Sequence, residues 1–405
     1  MPRATRARRG LLALVAISAM VLVACGKDNK KSSTKAAGGP VIGFVGALTG
    51  DNANLGVNIR DGIKLALDEA NAAGGTKITM KEFDTAGDPA QATTVKDRFI
   101  NDKSVIGIVG PAFSGETKAV LPALQEAGLV MISASATNAA LPTVVPNEPV
   151  FHRVIADDAL QASGVAEYLA TKLKPKTVAY VNDNTEYGKG LATDAQKQAE
   201  AKGVRTATTE TVDPKAQDFS ATVNKIKASG ADALFYGGYY AEAGRLKKQL
   251  ADANVKATFV SGDGSLDPGF IKAAGPPAAE GARLSCPCNL AFATSTGKLK
   301  DFYDRFKAKL GREPGLYSPE AYDAAGILIK GIKAGNTTRP KLLDFVENNV
   351  GVYDGVSKTI EFESNGNLKS REFFVFTVKN GSLSPLEEIS VGGAAGAAGT
   401  TTTSR

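Results

Sequence analysis

Seven short apolar runs between residues 41 and 262, separated by amphipathic stretches, restrict the fold of this chain more than any other feature. They are VIGFVGAL (41–48), KITMKEF (77–83), VIGIVG (105–110), LVMIS (129–133), TVAYVN (177–182), ADALFYGG (231–238) and ATFVSG (257–262). Each has the length and the β-branched or aromatic content of a buried strand, and most are followed by a helical pattern. In NIRDGIKLALDEANAAGG, for instance, Ile59, Ile63, Leu67 and Ala70 fall on one face and Gly74-Gly75 supply the stop. Strand and helix in alternation predict parallel sheets covered by helices on both faces, an α/β architecture. The continuity of the pattern implies two such units rather than one. Beyond residue 262 it changes. TSTGKLKDFYDRFKAKLG, SPEAYDAAGILIKGIKAG and RPKLLDFVENN are three helix candidates in a row, and KTIEFESNGNLKSREFFVFTV reads as two strands joined at Asn365-Gly366. These late elements must pack on something earlier.

The two ends of the chain differ from its middle. Residues 1–24 carry Arg3, Arg6, Arg8 and Arg9 and then the apolar LLALVAISAMVLVA, too short for a permanent membrane span and patterned as an export signal. The signal closes on LVAC, which resembles the lipobox of bacterial lipoproteins and marks Cys25 for acylation. Arg8-Arg9 leaves the export route open between the general and twin-arginine systems. Residues 25–39 read as a polar tether and 391–405 as a disordered Gly/Ala/Thr tail. Without the signal, 44 Lys and Arg face 42 Asp and Glu, a formal charge of +2 instead of +6. With no basic stripe interleaved by aromatics, a nucleic-acid partner is excluded. The remaining length suffices for two cored domains.

The segment IVGPAFSGETKAV (108–120) comes close to a phosphate-binding loop, but Glu116 stands where that loop needs its lysine. A helix start after a Gly-containing turn still offers free N–H groups and the positive end of the helix dipole. Ser114 adds one hydroxyl, which suits a single carboxylate better than a nucleotide phosphate. The same serine could instead cap its helix. Catalytic patterns are lacking: His152 is the only histidine, no G-x-S-x-G occurs, and GFVGALTG has the wrong spacing for a dinucleotide fingerprint. Neither an enzyme, a metal site nor a cofactor is expected.

GALTGDNANLG (46–56), NDKSVIGIVGPAFSGET (101–117), MISASATNAAL (131–141), YVNDNTEYGKGLA (180–192), DALFYGGYYAEAGRL (232–246), FVSGDG (259–264) and YSPEAYDAA (317–325) together carry a resemblance. In order and spacing the chain is similar to the leucine/isoleucine/valine-binding family of type I periplasmic binding proteins, the extracellular receptors of ABC importers. That resemblance implies two doubly wound parallel-sheet lobes joined by three crossovers, with a ligand held between them. Lobe 1 is expected at 40–155 plus 287–368 and lobe 2 at 156–286 plus 369–390.

The resemblance also assigns roles residue by residue. Ser114 and Thr137, with the neighbouring backbone of Ser135 and Ala136, match positions that bind an amino acid's α-carboxylate. Asp263 matches the acidic residue that pairs with the α-ammonium, although the compared member carries the longer Glu; an ordinary turn aspartate would look the same. Tyr187, Tyr239 and Tyr317 match positions that cover the ligand, and Leu55 stands where a large aromatic is found, so the side-chain pocket is expected to differ. Cys286 and Cys288 have no counterpart in the compared member. Two residues apart in an extended segment, their α-carbons would be about 6.5 Å from each other, within reach of a disulfide that stiffens the second crossover. The resulting expectation is a monomeric, lipid-anchored solute receptor for an amino acid, most simply branched-chain, working with an ABC permease. The alternatives are a receptor for another small carboxylate or amide, a ligand-sensing subunit of a signalling system and, third, an exported enzyme dependent on His152.

Overall fold

The computed structural model describes residues 39–145, 150–290 and 294–391. Cys25, the export signal, most of the tether and the C-terminal tail lie outside the described residues. The first sheet is built from β1 (Val41–Gly46), β2 (Thr79–Asp84), β3 (Val105–Val109), β4 (Val130–Ser133) and β5 (Phe151–Arg153), in the order β2-β1-β3-β4-β5 and parallel throughout. Every residue of β1, β3, β4 and β5 is buried, as strands covered on both faces require. Helices α1 (Ala53–Ala72), α2 (Pro89–Ile100) and α3 (Ser114–Glu126) make its crossovers. On α1, Ile59, Ile63 and Leu67 are buried as their spacing predicts, and the chain leaves the helix through Gly74 and Gly75, both at positive φ. Each such side chain contributes roughly 1.5–3 kcal/mol of apolar burial.

After β5 the chain crosses over. Helix α4 (Asp158–Tyr168) opens a second sheet made of β6 (Thr177–Asn182), β7 (Arg205–Thr211), β8 (Ala233–Gly237), β9 (Thr258–Ser261) and β10 (Arg283–Cys286). Its helices are α5 (Glu186–Ala201), α6 (Ser220–Ser229), α7 (Tyr240–Asp252), α8 (Pro268–Ala274) and α9 (Pro276–Ala279). Two of its strands, and one of the first sheet's, lacked an apolar signal or length in the sequence. Strand β7, RTATTET, is an edge strand with only half-buried and exposed positions; β10 is only four residues long, like the three-residue β5 of the first sheet.

A second crossover leads to α10 (Gly297–Leu310), α11 (Ser318–Lys333) and α12 (Arg339–Asp344), the three helices expected from the sequence. Helices α10 and α11 pack on α1, and α12 rests on β3 and β4, so these elements complete the first sheet's helical cover. Phe302 and Phe306 close a small core with Leu65 of α1. The hairpin expected around Asn365-Gly366 is a correction. β11 (Tyr353–Asp354) pairs with β12 (Thr359–Ile360), and only a single bridge, Phe362 to Leu368, spans the predicted turn. The second predicted strand, β13 (Phe374–Lys379), belongs to the other sheet, antiparallel to β10 and to β14 (Ser382–Glu388), because the chain makes its third crossover between the two. The second sheet thus runs β14-β13-β10-β9-β8-β6-β7.

In each sheet the order reverses beside the first strand, β1 in one and β6 in the other, and ligands of open α/β sheets bind outside the strands' carboxyl ends at such a reversal. The two reversal points bring the loops after β1, β3, β6, β8 and β9 to the cleft described below. At the second crossover, Cys286 ends β10 and is disulfide-bonded to Cys288, their α-carbons 5.0 Å apart. That is closer than an extended segment would give, because the chain bends at Pro287 and Cys288.

Candidate ligand-binding cleft

Asp263 is the centre of the arrangement. It follows β9 directly and is 1% exposed, and three side chains donate to its carboxylate. Tyr187, at the start of α5, reaches Oδ1 at 2.7 Å; Gln161 of α4 reaches the same oxygen at 2.9 Å; Tyr317, at the start of α11, reaches Oδ2 at 2.7 Å. Tyr187 and Gln161 belong to elements of the second sheet, whereas Tyr317 comes from a helix packed on the first, so one carboxylate ties the two halves together. Burial raises the Asp263 pKa, and the hydrogen bonds from Tyr187, Gln161 and Tyr317 oppose that rise. The flanking glycines are required by close approach: a Cβ on Gly264 would fall 2.7 Å from the Tyr187 ring, and one on Gly262 would lie 2.7 Å from the Tyr187 hydroxyl. Tyr317 itself sits in the left-handed region at φ +68°, uncommon for a bulky residue.

On the first sheet's side, Phe113 precedes α3 and Ser114 is its first residue. The Ser114 hydroxyl does not cap the helix; it accepts from Asn138 N at 3.1 Å. Capping falls to Glu116, whose Oε2 accepts from Phe113 N at 2.8 Å while its other oxygen accepts from the Thr85 hydroxyl. The residue that replaces a P-loop lysine is thus folded back on its own helix start, fully buried, and burial pushes its pKa up to about 7. Ser133 Oγ accepts from the N–H groups of Ser135 and Ala136, fixing the turn that leads to Thr137, and the Ser135 hydroxyl donates to Ala112 O. Thr137 is fully buried. Its hydroxyl lies near enough to Asp158 to lower that carboxyl's pKa, yet Thr137 Oγ1 and Asp158 Oδ2 both lack a hydrogen bond of normal geometry.

Aromatic rings fill the space between the halves. The Phe113 and Tyr239 ring centroids are 4.5 Å apart and those of Tyr187 and Tyr239 5.1 Å. Leu55 is fully buried in the apolar core on the first turn of α1. Along the rims further bonds cross from one half to the other: Lys118 to Glu186 at 2.8 Å, Asn138 Nδ2 to Glu186 O at 2.7 Å, and Asn54 Nδ2 to Asp267 Oδ1 at 3.1 Å. The structure is therefore a closed one, with the cleft residues out of water. His152 lies in β5 with its ring against Phe362, and burial lowers its pKa to about 4, so it is a neutral core side chain.

Phe113, Asp158 and Gln161 were not singled out in the sequence. Phe113 reads as a strand-end apolar residue, and Asp158 and Gln161 read as an ordinary first helical turn; only the partner each meets distinguishes them. Among the described residues no group of three or more His, Cys, Asp or Glu is arranged to hold a metal.

Two doubly wound lobes closing on a buried carboxylate define a binding protein of the bilobed solute-receptor class. A periplasmic binding protein family model matches residues 40–382, and the chain belongs to that family, whose members bind substrates for transport and are not enzymes. It is 31% identical over 340 residues to the leucine-, isoleucine-, valine-, threonine- and alanine-binding protein of Pseudomonas aeruginosa, covering 83% of this chain and 88% of that one. It is 33% identical over 353 residues to a Leu/Ile/Val-binding protein homolog of Brucella melitensis, covering 85% and 93%. Among solved structures, it is similar to the branched-chain amino acid transporter substrate-binding protein LivJ of Streptococcus pneumoniae in complex with isoleucine, with a TM-score of 0.80 at 27% identity and coverage of 87% and 99%. Periplasmic binding proteins work on the extracytoplasmic side, and among the described residues no helix is long and apolar enough to cross a membrane.

Proposed function

We propose that this chain is the lipid-anchored receptor of an ABC importer, that it captures a free amino acid, branched-chain in the first instance, between its lobes, and that it delivers it to the permease as a monomer. One observation carries the reading: the buried Asp263 carboxylate is reached at once by Tyr187 from the second lobe and Tyr317 from the first. A cationic ammonium brought to that carboxylate would favour the closed state, because only there do both lobes contribute to its surroundings. Ser114, at the start of α3, would offer a neutral donor to the ligand's carboxylate, with Thr137 between it and the acidic residues. The ligands named for the relatives agree with this polarity. Lobe boundaries at 40–155 plus 287–368 and 156–286 plus 369–390 fit the two sheets, and acylation at Cys25 would hold the receptor at the outer face of the membrane.

A thermal-shift screen of the purified protein against the twenty amino acids tests the reading, since a ligand that binds only the folded state raises the melting temperature by mass action. Leucine, isoleucine or valine is expected to give the largest rise. A screen in which no amino acid shifts the transition, while simple carboxylates or amides do, would reassign the receptor to that ligand class.

A further inference from the structure

A cavity of about 370 Å³ lies outside the cleft, between the first and third crossovers. Asp157 of the first crossover and Glu363, Asn367 and Arg371 around the third form one side of it; Leu160 and Ser163 of α4 and Gln198 of α5 form the other. The turn at 363–367 is held to the first sheet, where Arg153 N of β5 donates to Gly366 O at 3.0 Å, while α4 and α5 belong to the second. An occupant therefore touches both lobes at their hinge. The volume falls within the range of small-molecule sites. Two of the polar groups are already committed: Asp157 accepts from Leu160 N at 3.0 Å and faces Arg153 at 3.5 Å, and Lys369 pairs with Glu361. Arg371 and Glu363 are not. Both are exposed, and among the described residues neither side chain makes a hydrogen bond or a salt bridge. Leu368 and Val391 add buried apolar surface. A simple anion would meet Glu363 and Asp157 uncompensated, and a simple cation would meet Arg371 and Lys369. A molecule with a carboxylate, an ammonium and an apolar body satisfies both free charges and the apolar patch.

The cavity and the cleft share one side chain. Arg153, fully buried, donates through Nε to Asn367 Oδ1 at 2.9 Å on the cavity side. Through Nη1 it donates to Ala136 O at 3.1 Å and Asn138 O at 2.9 Å on the cleft side, gripping the backbone before and after Thr137. We propose that this hinge cavity is a second binding site, for a zwitterion with an apolar side chain, a free amino acid or a short peptide, whose carboxylate pairs with Arg371 and whose ammonium pairs with Glu363. The lobe pair itself is the two-state element, and both sites bridge it, one at the cleft and one at the hinge. Because the cavity takes this shape in the closed structure, its occupant favours closure and tightens binding in the cleft. The cleft ligand tightens binding in the cavity by the same factor. The site stands on the cavity's own residues; only its coupling to the cleft rests on the amino-acid reading above.

Calorimetry with L-leucyl-L-leucine, with its N-acetyl derivative and with L-leucine tests the proposal. Four proteins are compared: wild type; Asp263→Ala, which removes the cleft's central acid; Arg371→Ala with Glu363→Gln, which removes both free charges of the cavity; and Ser163→Trp, which fills the cavity from α4. The dipeptide is expected to bind wild type and Asp263→Ala within a few-fold of each other. It should bind the double variant about five- to twentyfold more weakly, both charges being solvent-exposed, and Ser163→Trp not detectably. N-acetylation, which removes the ammonium, should weaken binding about two- to fivefold. With dipeptide present, leucine affinity should rise about fivefold or more in wild type and not at all in Ser163→Trp. A second, weaker leucine phase that survives Asp263→Ala and vanishes in Ser163→Trp would name the free amino acid as the occupant. If the melting temperature of Ser163→Trp shows its fold lost, the double variant, at exposed positions, decides alone. Dipeptide binding abolished by Asp263→Ala and kept in the cavity variants would move it to the cleft and overturn the inference, as would no cavity-dependent binding of either probe to wild type. Unchanged leucine affinity with dipeptide bound would overturn the coupling. If wild type bound no amino acid in the cleft while the dipeptide bound in the cavity, the receptor reading and the coupling would fall and the site would stand.

Discussion

The loops that open α3 and α7 are built on one plan and face each other across the cleft, yet they offer a ligand opposite chemistry. Each follows a central strand, passes a glycine, and places an aromatic residue just before the helix, Phe113 in one and Tyr239 in the other. Each has a buried glutamate three residues on, Glu116 or Glu242, whose carboxylate accepts the aromatic residue's own N–H, at 2.8 Å and 2.6 Å. The two aromatic rings then meet. Beyond this shared frame the surroundings diverge. Next to Phe113 stand the Ser114 hydroxyl and the Ser135–Thr137 turn, whose Thr137 O accepts from Asp158 N at 2.8 Å. Next to Tyr239 stand Asp263, Tyr187 and, through Gln161, Asp158. A common helix-capping device thus opens one helix in each lobe at the cleft, and the proposed receptor would set the ligand's carboxylate near Ser114 and its ammonium near Asp263.

Removing the centre of the acidic wall gives the largest expected effect. In Asp263→Ala the ligand's ammonium faces Tyr187 and Tyr317 without its principal counter-charge, at a cost of about 3–5 kcal/mol, a loss of at least about a hundredfold in leucine affinity. On the donor wall, Ser114→Ala removes one neutral hydrogen bond to the carboxylate and should cost about 0.5–1.5 kcal/mol, up to roughly tenfold. The assignment of walls is sharper than the magnitudes. Calorimetry should show Asp263→Ala losing its preference for leucine over 4-methylpentanoate, and Ser114→Ala losing its preference for leucine over leucinamide. If each variant lost the other's preference, the polarity would be reversed; nearly unchanged leucine affinity in Asp263→Ala would take that residue out of the site.

The shared frame can be separated from the divergent walls by pH. Burial raises Glu116 to about 7, and burial with the Asp183 charge raises Glu242 to about 8, both from an ordinary 4.5. Each protonated glutamate therefore contributes stability that is present below about pH 4.5 and is lost as pH rises through 7 or 8. Melting temperature is expected to fall across that window. Glu116→Gln should flatten the fall up to about pH 7 and Glu242→Gln up to about pH 8, each by a few degrees, since both are fully buried. Identical profiles for wild type and both variants would mean that neither glutamate titrates in the folded protein.

Legibility in the sequence followed the same division. The parallel sheets announced themselves through runs such as VIGIVG and TVAYVN, buried on both faces, and the late helices through their 3.6-residue periodicity. β7 did not, because an edge strand of Thr and Glu has no apolar side to display, and the break after Leu368 was expected only through the resemblance, because nothing local in GNLKSREFF says that the chain changes sheets. In the cleft, Asp263, Tyr187 and Tyr317 were marked by resemblance, and the structure brings these three together by direct hydrogen bonds. Gln161 and Asp158 were invisible for a physical reason. Their significance is relational, a shared amide nitrogen between two carboxyls a hundred residues apart in the chain, and composition or periodicity cannot express such a relation. Phe113 falls between these cases, since its equivalence to Tyr239 emerges only when the two lobes are laid side by side.

The smallest expected effect concerns a difference between the crossovers themselves. The second crossover carries the Cys286–Cys288 disulfide, and Lys358, buried in an ion pair with Glu320 at 3.2 Å, also donates to Pro287 O at 3.3 Å. Pro287 fixes one backbone dihedral between the two sulfurs. The ring closed by the disulfide is so small that it removes little entropy from the unfolded chain, so its influence on global stability should be slight. Its place at the hinge gives it another lever: a stiffened crossover limits the open conformations from which the lobes close, and a change in that range alters the free-energy difference between open and closed states. Intact-mass analysis of the denatured, unreduced protein after alkylation should show no label on Cys286 or Cys288. Reduction before calorimetry should then shift leucine affinity by a few-fold while the melting temperature moves little. Alkylation of both cysteines without reduction would dispose of the disulfide in the native protein, and equal affinities with and without reductant would leave it as a local tie with no part in closure.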